Sequence, residues 1–189
     1  MKQRERPRAK REPLPSGAVL RELGSESRWS LLSRGERLHG HTFRPGRAER
    51  PPVAILCTPD GSAGHELVLR ARSLWPERAV AVFDLVLCGS RRSDKLSAQA
   101  LDPAQPLAAR LRADLAAQTA ADLAAVAALL RRDPRLDGAR VSLVGVGVGA
   151  ELAREFAAGE HALSAVWLEP EAAGDDAWLR AVEARLAGR

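Results

Sequence analysis

The sequence predicts an α/β fold: a mostly parallel sheet with helices on both faces and an antiparallel hairpin at its start. Three observations carry this. Four short apolar runs, Val53–Cys57 (VAILC), Ala79–Phe83 (AVAVF), 141–144 (VSLV) and 163–168 (LSAVWL), show little of the polar alternation of a half-solvated strand. Segments with helical periodicity separate them, and the third run leads into a glycine turn at 145–149. Apolar strands alternating with helices call for a parallel sheet covered on both faces.

In chain order, residues 1–17 read as a flexible tail ending in Pro13, Pro15 and Gly17, and residues 18–189 as one domain. Short strands at 29–32 and 37–43 flank Ser33-Arg34-Gly35-Glu36, the spacing of a hairpin turn. A loop rich in proline and charge, 44–52, leads into the first buried strand. A second loop, 58–64, precedes a helix at Glu66–Leu74, and the strand AVAVF ends at Asp84. A long loop then runs through Arg91 and Arg92 to Pro106. The clearest helix is 107–132, where Leu107, Leu111, Leu115, Leu123, Val126 and Leu130 recur at helical steps. Asp133-Pro134 ends it. Helices at 151–158 and 176–186 complete the pattern; the last carries an apolar stripe of Trp178, Leu179, Val182 and Leu186 that docks it on the sheet, and Trp167 is read as core.

A chain of 189 residues can bury a substantial core. Its net charge of +5 is concentrated at the N-terminus, where residues 1–13 hold six Lys/Arg and two Glu. Such a tail attracts nucleic acid or anionic membranes non-specifically, or simply stays solvated. The rest of the chain is nearly neutral and offers no broad basic surface legible in sequence, so nucleic-acid binding is not expected. Cys57 and Cys88 make neither a disulfide framework nor a four-ligand metal site. Neither a metal nor a cofactor is therefore expected. Asp122 interrupts the longest apolar run, so no membrane span is expected, and no apolar segment follows the basic N-terminus as in a secretory signal. The expected location is cytoplasmic.

The informative stretch is Val144-Gly145-Val146-Gly147-Val148-Gly149-Ala150, at a strand-to-helix junction. It resembles the G-x-S-x-G nucleophile elbow of α/β-hydrolases, with Gly145 and Gly149 as the flanking glycines and Gly147 where the serine would stand. The lead-in Asp137-Gly138-Ala139-Arg140-Val141 is similar to that of dienelactone-hydrolase-like esterases. So, in the same order upstream, are Leu38-His39-Gly40, PPVAILCTPDG, and Phe83-Asp84-Leu85 with Gly89-Ser90. The resemblance covers about 37–170 and implies a shortened α/β-hydrolase fold. It implies an oxyanion loop at Asp60 and Gly61 with Val148, and a ligand pocket near His65, Asp84, Ser90 and Glu169. It also implies a lost triad. Gly147 has no side chain to attack a carbonyl, and the only later histidine, His161, precedes a strand and falls at the wrong end of the sheet. The expectation is a binding or interaction module, probing for an active small-acyl esterase with another nucleophile remaining open. A shortened sheet leaves an edge strand near 163–168, so pairing with a second copy or another chain is expected there.

The same glycines admit another reading. Gly145, Gly147 and Ala150 satisfy G-x-G-x-x-A, and Glu169 ends the next strand 24 residues on, which is the pattern of a dinucleotide site. Its late place in the chain argues against it. Ser90, Ser93, Arg91, Arg92 and Lys95 suit a phosphate-binding loop or a merely solvated one. His39 and His41 share a strand face without a third ligand. Cys57 suits a buried apolar position, and Cys88 has no activating partner evident in the sequence.

Overall fold

The computed structural model describes residues 17–58, 65–101, 108–159, 163–169 and 175–188. The basic tail, Asp60, Gly61, Pro106 and His161 lie outside the described residues. Seven strands form one mixed sheet: β1 (Val19–Leu23), β2 (Glu26–Ser33), β3 (Glu36–Phe43), β4 (Val53–Cys57), β5 (Ala79–Phe83), β6 (Val141–Val146) and β7 (Ala165–Glu169). Their order is β1-β2-β3-β5-β4-β6-β7. The three pairings at the β1 end are antiparallel and the three at the β7 end parallel. The sheet is therefore half antiparallel rather than mostly parallel. The reason is β1, which its sequence VLREL does not announce: it lies against β2 and is mostly exposed.

The helices are α1 (Glu66–Leu74), α2 (Asp94–Leu101), α3 (Ala108–Arg132), α4 (Val148–Ala158) and α5 (Asp176–Ala187). Beyond Asp84, what sequence gives as a long loop holds a 3₁₀ turn at Gly89–Arg91 and then α2. Every residue of β4, β5 and β6 is buried, as the unbroken apolar sequences of β4 and β5 require, and Ser142 of β6 is buried with them. Alternate residues feed two cores. Ile55, Phe83, Leu143, the second half of α3 and α4 pack on one face. Leu56, Val80, Val144, α1 and α5 pack on the other. The α5 stripe works as the sequence implies, with Leu179, Val182 and Leu186 buried. Trp167 differs: it is half-buried near the outer edge of the sheet, with the Arg185 guanidinium 5.5 Å over its ring.

Helix α3 bears on the expected absence of a membrane span. By length and composition, Arg110–Arg132 is long and apolar enough to cross a membrane, despite Asp122. In the fold its second half packs into the core, with Leu123, Val126, Ala127 and Leu130 buried. Asp122 is fully buried too. It accepts hydrogen bonds from Ser33 Oγ (2.6 Å), Gln118 Nε2 (3.2 Å) and Arg91 Nη1 (2.7 Å). Arg91 also donates to Glu36 at 2.6 Å. Burial alone would lower the pKa of Arg91, but the bonds to Glu36 and Asp122 outweigh it and hold the guanidinium above its ordinary value.

Candidate functional site

β4 leads through α1 to β5 on one side, whereas β6 leads through α4 to β7 on the other. The carboxyl ends of β4 and β6 are thus a switch point, where open α/β sheets form a crevice for ligands. At the end of β6 the chain turns sharply. Gly147 caps α4 at φ 57°, ψ −132°, a conformation that L side chains rarely adopt. A Cβ built on Gly147 meets nothing within 4 Å, so the position is sterically open although its backbone is strained for any other residue.

The flanking glycines are held for a different reason. A Cβ on Gly145 would lie 2.8 Å from Ala150 Cα and from Leu168 Cδ2. One on Gly149 would drive into the carbonyl of Cys57, 2.7 Å from its carbon. The small residues let α4 begin against the backbone of β4 and β6, which is what keeps the turn tight. Val148 follows as the first residue of α4, a position whose N–H has no intrahelical acceptor.

The other residues singled out from sequence are only partly brought together. Glu169 ends β7 beside Val146, and its carbonyl accepts the Gly147 N–H at 2.8 Å. That bond removes the amide a dinucleotide pyrophosphate would need at the second glycine, so the geometry disfavours the nucleotide reading. Asp84 and Ser90 do meet. One Asp84 oxygen accepts both the Ser90 N–H (2.8 Å) and its hydroxyl (2.6 Å), while the other, Oδ1, is buried without a partner. They follow β5, two strands from Gly147 and hence about 10 Å away across the sheet. His65 caps α1, its Nδ1 accepting the Leu67 N–H at 3.3 Å, so the ring serves the helix end.

Arg91 is not free to hold a phosphate, being committed to Asp122 and Glu36. Burial pushes the Cys57 thiol up to about 12, consistent with an apolar role, and Cys88 is buried ahead of the 3₁₀ turn. His39 and His41 lie on the outer face of β3, and His41 Nδ1 bonds Glu26 at 2.9 Å. Among the described residues no three potential metal ligands cluster.

Two features escaped the sequence reading. One is the Asp122–Arg91–Glu36 network, which runs from a buried carboxylate to an exposed one and whose members are 31 and 55 residues apart. The other lies at the opposite end of the sheet, where cavities of about 270 and 380 Å³ share Arg78. The arginines there come from three separated segments and leave no local motif.

No protein-family model matches the chain, and no curated protein matches it in sequence. Solved structures do. A cold-adapted esterase from an Arctic intertidal metagenomic library superposes with a TM-score of 0.56 at 16% identity, over 82% of this chain and 64% of that one. Acetyl xylan esterase 1 from Thermoanaerobacterium sp. JW/SL YS485 gives 0.55 at 17%, over 81% of this chain and 52% of that one. A protein described as a dienelactone hydrolase from Klebsiella pneumoniae gives 0.51 at 22%, over 80% and 59%. The chain spans less than two-thirds of the length of each of these three. At such identities the likeness is one of fold, and the fold is α/β-hydrolase-like.

Proposed function

We propose that this α/β-hydrolase-like chain is a non-catalytic module, which keeps the elbow as a scaffold for binding and has no nucleophile on it. Gly147 carries the reading. Its backbone makes the strained strand-to-helix turn that lifts a nucleophile clear of a sheet, yet it brings no atom that can attack a carbonyl. The Asp84–Ser90 pair does not replace it, because the Ser90 hydroxyl donates to a carboxylate that also serves its own backbone, a local turn-stabilising arrangement.

Purified protein and a Gly147→Ser variant would be assayed on p-nitrophenyl acetate and treated with a fluorophosphonate probe. Neither is expected to exceed a heat-killed control or to be labelled. Turnover by the wild type would overturn the proposal and point to another nucleophile.

The same reading includes association along β7. Among the described residues that strand pairs with β6 on one side only, and Val166 on it is 39% exposed. Light scattering is expected to show a species larger than the monomer; a monodisperse monomer would count against it.

A further inference from the structure

We propose that the groove between the end of β3 and the last turn of α1 binds a small organic anion, a carboxylate or phosphate carried on an apolar stem. The groove has a volume of about 380 Å³ and lies at the amino-terminal ends of β4 and β5, away from the elbow. Three of its lining residues are arginines, Arg44, Arg72 and Arg78, and none is acidic. Arg44 follows β3, Arg72 sits in the last turn of α1, and Arg78 stands just before β5.

Each guanidinium is in a state that leaves something to an incoming anion. Arg44 spends Nη2 on the Gly24 carbonyl at 3.0 Å, but its Nε–H is buried with no partner. A donor cut off from water and acceptors alike is destabilising until an acceptor is supplied. The Arg72 guanidinium lies 3.8 Å over the Phe43 ring. Stacking uses its face and leaves its in-plane N–H groups, and it makes no ion pair with any described residue. Arg78 is only 5% exposed and donates Nε to Glu183 at 2.9 Å. Among the described residues one carboxylate therefore answers three cations. Planar guanidiniums match carboxylate and phosphate oxygens in pairs, where lysine would offer only a point charge.

The rest of the wall suits an apolar stem. Leu69, 49% exposed, supplies the apolar surface, and the nearly fully buried Phe43 and Trp75 support it from beneath. Trp75 is itself fixed, its Nε1 donating to the Leu179 carbonyl at 2.9 Å. A guanidinium cluster beside an exposed apolar side chain can hold an anion by its head and its body at once.

Calorimetric titration would use phenyl phosphate, benzoate, inorganic phosphate and, as a neutral control, benzyl alcohol. Saturable binding of phenyl phosphate or benzoate is expected, with inorganic phosphate weaker and benzyl alcohol silent. The stronger of the two aromatic anions identifies the head group. Arg44→Gln and Arg72→Gln should each weaken binding by about tenfold, the scale of one charge-assisted hydrogen bond. Should Arg44→Gln lower the unfolding midpoint, Arg72→Gln carries the test alone, because that side chain is exposed. Gly147→Ser should leave the titration unchanged, which separates this site from the elbow. Absence of saturable binding by all three anions overturns the proposal, and so does binding that survives Arg72→Gln unaltered.

Discussion

Gly149→Ala is expected to lower stability by about 3 kcal/mol and the unfolding midpoint by about 6–12 °C, although alanine is the better helix former. The propensity term favours the variant by less than about 1 kcal/mol. Opposing it is a Cβ placed against the Cys57 carbonyl, 2.7 Å from its carbon and 3.1 Å from Thr58 N. These are backbone atoms at the end of a central strand paired on both sides, so they cannot move as a side chain would. Gly147→Ala makes the comparison informative. Its Cβ would meet open space, and only the backbone strain at φ 57° remains, on the order of 1–2 kcal/mol. Thermal and urea unfolding of both variants should rank Gly149→Ala as the more damaging. An equal or stabilised Gly149→Ala would mean that α4 does not start against β4, and the elbow geometry would have to be revised.

Asp122→Ala is expected to cost about 3–5 kcal/mol, the usual consequence of leaving a buried charged partner unanswered. The carboxylate is fully buried on α3, and its loss orphans Ser33 Oγ and strips Arg91 of one of its two acids. Arg91 is mostly buried, with Glu36 as its remaining acid, so water recovers little of the loss. A double variant, Asp122→Leu with Arg91→Met, should be markedly less damaged than the two single changes predict together, because no charge is left unpaired. Urea unfolding across this cycle measures the coupling. A loss below about 1 kcal/mol in Asp122→Ala would show that the network is not holding the β2–β3 hairpin to α3.

Much of the architecture was legible in the sequence because burial on both faces leaves no room for polar alternation. VAILC and AVAVF become β4 and β5 with the bounds their composition implies, and Glu66–Leu74 becomes α1. The glycine turn after β6 was legible for a related reason: only small residues permit a helix to start against a strand, so Gly145 and Gly149 are marked in the chain itself. What the sequence by itself determined, then, are the features governed by a residue's own size, shape and immediate neighbours. Tertiary structure alone decided the rest. Strand β1 takes its conformation from pairing with β2, since VLREL carries no two-faced apolar signal. Asp122 reads as a flaw in an apolar helix until Arg91 and Ser33 are brought to it. Arg44, Arg72 and Arg78 are spread over 35 residues of the chain, and become a cluster only when β3, α1 and the entry to β5 meet. Charge acts through space rather than along the chain, and the distance between charges is set by the fold.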